Sequence, residues 1–443
     1  MRADRLGRLR RQYGGSLVTT GTRLIDVPCR YGMHLMIALR LPLAQVGAFY
    51  IVFGTMLLLS GLGRLGIDRA LTREMARVLA GGDAASARAS MIRAFAVVLA
   101  LSLGLTAIAA AAAWPLAMWV MHKPDMVPLF LIGALLIVPQ NMGNAIAGAL
   151  AGLHRVTQSQ IVYTWLWPGL FCVTAFLLPL SAAHALAAVA VAMTLATLIG
   201  GIMLVRDLPR RNGVAGQAEP APTPLLATGL SLFSLELVQL AISAAPPFVL
   251  GALSSAEQVG LYAIAWRVVL VIYMFVSGVA SMVSPRFARL YVLEDRAGLV
   301  REAGRAIGFA LTLAIVPILL VTLEPARILM LFGSQFEPAA PALRILLVGQ
   351  LAATLTTTTP ELLGMTGYAR SLLRINALAL FTLIAGLVCF ARPLGANGAA
   401  LATAATMVVN AIGVTLVCRR ELGFVPLGAL YGAWRRPSRV AHQ

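Results

Sequence analysis

Charge is scarce along these 443 residues: only 12% are Asp, Glu, Lys or Arg, against roughly 25% in soluble domains. Together with 59% hydrophobic residues, that scarcity excludes an ordinary soluble globular domain. Lysine is nearly missing, Lys123 being the single one among 35 basic residues. Cysteine is confined to Cys29, Cys172, Cys389 and Cys418. No CxxC pairing links them, so they read as small buried hydrophobes rather than disulfide or metal partners. Catalytic signatures are lacking too. There is no GxxxxGK followed by Ser or Thr, no HExxH, no GxSxG and no sizeable extramembrane domain. Neither an enzyme nor a cofactor is expected, and ATP-driven transport would require another chain.

What fills the chain is a series of apolar runs of about 20 residues, each long enough to cross a hydrocarbon core of roughly 30 Å. They fall near residues 15–39, 46–63, 94–117, 128–152, 161–180, 185–205, 225–252, 260–284, 306–324, 341–363, 375–391 and 398–417. The runs are continuous rather than alternating, which excludes a β-barrel. The fold class expected is an all-α polytopic membrane protein of about 12 transmembrane helices. The Arg-rich start leads into a first run too long and too charged for a signal-peptide core.

A net charge of +18 invites a nucleic-acid reading, but the placement of the charge argues against it. With the N-terminus in the cytoplasm, 27 Lys and Arg lie in cytoplasmic segments. Five lie toward the opposite face (Arg40, Lys123, Arg327, Arg344 and Arg392), and Arg23, Arg30 and Arg267 lie within spans. That bias is the positive-inside rule, and it predicts that both termini are cytoplasmic, with an even number of spans. Membrane lipid is a partner, and nucleic acid is not. The tail Arg435-Arg436-Pro437-Ser438-Arg439 suits an anionic inner leaflet.

The one clear linker is 206–224, RDLPRRNGVAGQAEPAPTP, polar and rich in Pro, Gly and Ala. It separates a six-helix lobe, 1–205, from a second, 225–418, with a basic tail at 419–443. The halves resemble each other. Gln45-Val46-Gly47-Ala48-Phe49-Tyr50 opens the second span and Gln258-Val259-Gly260-Leu261-Tyr262 opens the eighth, 213 residues later. Arg73 matches Arg286 at the same offset. Gly152-Leu153-His154-Arg155 and Gly367-Tyr368-Ala369-Arg370 follow the fourth and tenth spans at an offset of 215. Duplicated units of six spans share one orientation. They are therefore expected to be related by a pseudo-two-fold axis along the membrane normal, with a site near the midplane.

Candidate site residues begin on the first span. At 100° per residue, Arg23, Asp26, Arg30 and His34 fall at about 0°, −60°, −20° and +20°, one stripe of the helix. A charge at the bilayer centre costs about 2.5–3.5 kcal/mol on insertion scales, so such a stripe faces protein or water. One reading is an ion-pair ladder, with Asp26 neutralising both arginines at i,i+3 and i,i+4 spacing. The other is an anionic-phosphate site, since the planar fork of Arg fits phosphate oxygens and stays charged when desolvated. The offset of 213 carries Arg23 onto Glu236 and Asp26 onto Gln239 on the seventh span. Glu236 reads either as a latch to an arginine of the first helix or as a carrier of H⁺ or Na⁺. Pro246 and Pro247 are expected to kink the same span. Arg267 either lines a cavity or snorkels outward. His34 reads as a hydrogen-bonded structural residue or a proton relay. Gln140, Asn141, Asn144 and Asn410 read as interhelical hydrogen-bonding residues. Trp165 and Trp167 read as packing or interface anchors.

Several of these segments carry a family resemblance. LPLAQVGAFYIV with LGIDRALTREMA resembles the second span and following loop of bacterial polysaccharide flippases of the Wzx type. AEQVGLYAIAWRV with SPRFARLY, and LFGSQFEPAAPALRILLVGQL at 331–351, resemble the eighth span and the entry to the tenth. The wider group is the multidrug/oligosaccharidyl-lipid/polysaccharide exporter superfamily. The resemblance implies two six-helix lobes around a central cavity, working by alternating access. Its implied cargo is an undecaprenyl-pyrophosphate-linked oligosaccharide for a surface polysaccharide, coupled to H⁺ or Na⁺. By position, Arg23, Arg30 and Arg267 would hold the diphosphate, and Asp26, Glu236 and Gln239 would couple the cycle. A monomer is expected, with the polysaccharide polymerase machinery as a candidate partner. A cation-coupled multidrug exporter of the same fold and a non-transporting subunit of a polysaccharide synthase remain the alternatives.

Overall fold

The computed structural model describes residues 25–80, 84–177, 181–207 and 225–428. Among them every regular element is helical, and ten helices are long and apolar enough to cross a membrane. The protein is a multi-pass membrane protein. The linker 206–224 lies almost wholly outside the described residues, as does Arg23. The chain divides into two compact units, Met1–Leu240 and Ala241–Gln443.

In the first unit, α1 covers 25–40, α2 Leu43–Arg64 and α3 Ile67–Ala80. There follow α4 Ala84–Pro115, α5 Val127–Ala134, α6 Ile137–Gly152, α7 Val156–Gln160, α8 Leu166–Leu177 and α9 Ala182–Asp207. The expected fifth span, 161–180, opens on a π-helical turn, Ile161–Trp165, that joins α7 to α8. α2 is the central helix: Phe49, Tyr50, Ile51, Val52 and Phe53 are five consecutive buried residues, so it is enclosed on every side. α3 is amphipathic, and it crosses α6 where Gly148 faces the Asp68 carbonyl and Gly152 faces Thr72 and Met75. Small residues four apart let the two backbones approach. The Thr72 hydroxyl, 2.9 Å from the Gly148 carbonyl, donates a hydrogen bond across the crossing.

α10, Leu225–Leu253, stays helical through Pro246 and Pro247, and the division between units falls inside it. The second unit continues with α11 Ala256–Val292, α12 Arg296–Leu323, α13 Pro325–Met330, α14 Ala340–Leu355, α15 Thr359–Met365, α16 Ala369–Leu394 and α17 Ala396–Glu421. α17 is the tightly packed partner of α14 and α16, with Gly349 against Ala404 and Gly386 against Ala402. Asn410 donates to Asn376 across the α16–α17 face at 2.8 Å.

The duplication is visible in hydrogen bonds. Gln45 Oε1 accepts from the Ala182 N–H at the start of α9, at 3.0 Å. Gln258 Oε1 does the same for Ala396 at the start of α17, at 2.8 Å. Each amide side chain, from the opening turn of a central helix, satisfies a donor that its target helix leaves orphaned. The turns after α6 and α15 correspond as well. Arg155 N–H bonds the Leu150 carbonyl at 2.8 Å, and Tyr368 N–H bonds Leu363 at 2.9 Å. His154 (φ 59°) and Gly367 (φ 91°) occupy the left-handed position of these turns. The equivalent residues are therefore His154 and Gly367, at an offset of 213, and the offset of 215 read from GLHR and GYAR is corrected. The two matched glycines serve different ends: Gly152 admits α3, whereas Gly367 supplies a positive φ.

The units depart from each other at one place. α2 stops at Arg64, the chain passes through Leu65 (φ 49°) and Gly66 (φ 70°), and α3 begins at Ile67. The corresponding stretch of α11 continues unbroken through Ser277 and Gly278.

Candidate functional site

That break in the first unit carries a cluster of charge. Arg64 sits in the last turn of α2, where the carbonyl end of a helix favours a cation, and Asp68 in the first turn of α3, where the amide end favours an anion. The left-handed corner between them folds Asp68 back onto Arg64, whose Nη1 donates to Asp68 Oδ2 at 3.3 Å. Arg64 Nη2 donates to Glu236 Oε1 of α10, also at 3.3 Å. Arg69 approaches the other carboxylate oxygen, its Nη2 standing 3.2 Å from Oε2 without hydrogen-bond alignment. All four residues belong to the first unit.

Burial separates the two arginines. The Arg64 side chain is 10% exposed and Arg69 is 55% exposed, while Asp68 and Glu236 are 17% and 16%. Three buried polar atoms in the cluster lack a hydrogen-bond partner: Arg64 Nε, Asp68 Oδ1 and Glu236 Oε2. Two guanidinium groups thus converge on one carboxylate, each facing a different oxygen, with donor and acceptor capacity left over. Guanidinium donors set in this way can also bind phosphate oxygens.

On α1, Arg30 grips Asp26 through Nε and Nη2, at 3.3 and 3.1 Å from Oδ1. This is one rung of the expected ladder. The carboxylate is 15% exposed and the guanidinium 37%. His34 is buried, with its Nδ1 2.9 Å from the Tyr50 hydroxyl on α2. Gln239 is exposed on α10, and Arg267 is half-buried on α11 in the second unit. Asn141 donates to Ser102 of α4 at 2.9 Å, an interhelical bond as expected, but Asn144 bonds the Gln140 carbonyl within its own helix. Trp167 lies tilted against Phe53, with ring centroids 6.3 Å apart and planes at 44°. It walls a small cleft with Gln140, Asn144, Tyr163 and Thr197. Among the described residues no cluster of His, Cys, Asp and Glu could hold a metal ion.

The sequence pointed Glu236 toward an arginine of the first helix. In the structure its ion-pair partners among the described residues are Arg64 and Arg69. These two had read only as positive charge of a cytoplasmic loop. The signal that could have found them is the acidic residue set among them: Asp68 follows Arg64 by four and precedes Arg69 by one, at the edge of an apolar span.

Comparison with known proteins identifies the fold and the family. No curated protein matches the chain by sequence. An inward-facing multidrug resistance MATE family transporter of the MOP superfamily shares the fold. Its TM-score is 0.73 at 16% identity, over 92% of this chain and 98% of that one. The lipid II flippase MurJ, in an inward closed conformation, gives 0.68 at 11% identity, over 95% and 91%. A MOP superfamily transporter from Pyrococcus furiosus, described by the reverse polarity of its binding pocket, gives 0.62 at 18% identity, over 92% and 95%. Residues 233–390 match the MatE family. Residues 15–291, well over half the chain and including both α1 and the charged corner, match polysaccharide biosynthesis proteins, and the chain belongs to that family.

Proposed function

We propose that the protein is a flippase that carries undecaprenyl-pyrophosphate-linked oligosaccharides across the bacterial inner membrane by alternating access, for assembly of a surface polysaccharide. The observation that carries this reading is the family match over residues 15–291, a stretch that also holds the arginines of α1 and of the α2–α3 corner. A cargo with two phosphates, a polar glycan and a long apolar tail requires cations inside an otherwise apolar helical body. Arginine meets that need, because it remains charged and binds phosphate oxygens bidentately. In this reading Arg23, Arg30 and Arg267 hold the diphosphate, and Asp26, Glu236 and Gln239 couple the cycle to H⁺ or Na⁺. Both termini are cytoplasmic, and the lipid tail stays in the bilayer.

The test is reconstitution. Proteoliposomes loaded with a labelled undecaprenyl-pyrophosphate glycan should move the label to the opposite leaflet when an ion gradient is imposed. An impermeant glycan-modifying enzyme would report the movement. Arg30→Ala should slow it about tenfold or more, the scale of one lost charge-assisted contact of roughly 1.5–3 kcal/mol. No movement in the wild type under either H⁺ or Na⁺ gradients would overturn the reading.

A second reading, export of cationic drugs, is favoured by the MatE match over 233–390. It requires a net acidic binding surface, and the paired charges found here supply none. Drug-efflux profiles of a deletion strain separate the two.

A further inference from the structure

We propose that Arg64 and Arg69 form a seat for the diphosphate head of a lipid carrier, and that Glu236 occupies the seat as an internal stand-in until the carrier displaces it. The proposal rests on the flippase reading and adds to it a binding site away from the α1 stripe.

The argument starts from charge. Two arginines face two acids here, so the cluster is neutral with Glu236 in place. Withdrawing Glu236 leaves Arg64 held by Asp68 alone, Arg69 without its carboxylate, and a net charge of +1. A pyrophosphate brings at least two negative charges and several acceptor oxygens where Glu236 brings one charge and two oxygens, so it competes well for the same donors. The fit of Glu236 leaves room for such competition. Arg64 Nε is buried without a partner, and the Arg69 contact to Oε2 is close but misaligned. Accessibility agrees, since Arg69 is half exposed and can meet an incoming head group before Arg64, which is nine-tenths buried.

The plain alternative is that the cluster only braces the α2–α3 corner. The internal repeat weighs against it. At an offset of 213, Arg64, Asp68 and Arg69 correspond to Ser277, Ser281 and Met282. There α11 passes through without a break, and Ser281 merely donates to the Ser277 carbonyl at 3.2 Å. The fold closes at that position without any charge. The corner and its arginines are therefore present in one unit and missing at the equivalent place in the other, so the six-helix repeat does not of itself require them.

The experiment uses the full chain purified in detergent, titrated separately with inorganic pyrophosphate and with undecaprenyl pyrophosphate, binding being read by calorimetry. Glu236→Gln empties the seat of charge while keeping its shape, and should tighten both ligands about tenfold, equal to about 1.4 kcal/mol. Arg69→Gln, at an exposed side chain that the fold tolerates, should weaken both at least fivefold and should cancel the gain in the double variant. Affinity in Glu236→Gln equal to or weaker than wild type overturns the proposal, including the case where only the melting temperature falls. Tightening for inorganic pyrophosphate without tightening for the lipid form overturns the assignment to a lipid head. Wild-type proteoliposomes keep the two readings apart. Glycan movement with flat binding refutes the seat alone, whereas the expected binding without movement refutes the flippase reading.

Discussion

Gln45 and Gln258 show how much a single polar side chain contributes in a body this apolar. A helix that begins inside a membrane protein leaves backbone N–H groups with no water to bond, and each unpaired group is costly. The amide oxygens of these glutamines take up that role for Ala182 and Ala396. The second glutamine is held more closely, because a side chain on Gly395 (φ 56°) would overlap it. Loss of a helix-capping acceptor costs about 0.5–2 kcal/mol. Gln45→Ala and Gln258→Ala should each lower stability by that amount, measured as a fall in detergent melting temperature. Gly395→Ala should cost more than Gln258→Ala, since it combines the positive φ with that overlap. Equal behaviour of Gln258→Ala and wild type would show that the cap contributes nothing.

Among elements, the α3–α6 crossing links packing to the charged corner. A Cβ on Gly148 would stand 2.6 Å from the Asp68 carbonyl oxygen, which is backbone and cannot swing aside. α3 would have to move, and it carries Asp68 and Arg69 with it. Gly148→Val should therefore destabilise the protein by about 1–3 kcal/mol, the usual cost of overpacking, and should also weaken pyrophosphate binding. Gly104→Ala is the control: nothing lies within 4 Å of its added methyl, so it should cost nothing and can only stabilise α4, by up to about 1 kcal/mol. The crossing also marks where sequence reading stopped. Spans and duplication were legible, because hydropathy and the repeated Gln-Val-Gly openings are local signals. The partner of Glu236 was not. It depends on the chain breaking at Leu65–Gly66, and LGRLGIDRA reads equally well as a loop or as a corner between two helices. The π-helical turn that opens the fifth span was hidden too, since Ile161–Trp165 is as apolar as the helix that follows it. The first helix was legible in its Asp26–Arg30 pair, because i,i+4 spacing alone brings those side chains together.

For the whole molecule, the distribution of arginine argues for one orientation of the chain. Arginine crosses a membrane only at a cost, and cytoplasmic loops retain it, so the excess of 27 over 5 in the twelve-span reading is the ground on which we propose cytoplasmic termini. In the proposed orientation the α2–α3 corner is on the cytoplasmic side, where a newly made lipid-linked unit would first meet the protein. Placed on the outer side, the same corner could receive only what had already crossed. Orientation is therefore a condition of both proposals, and single cysteines can test it in a background with Cys29, Cys172, Cys389 and Cys418 changed to Ala. Asp125 lies exposed between α4 and α5, and Leu293 lies exposed at the turn between α11 and α12. In intact spheroplasts an impermeant maleimide should label Asp125→Cys within minutes. Leu293→Cys should stay unlabelled until the membrane is permeabilised. The opposite pattern would place Arg64, Arg69 and Glu236 on the outer surface, where they could release a diphosphate carrier but not admit one.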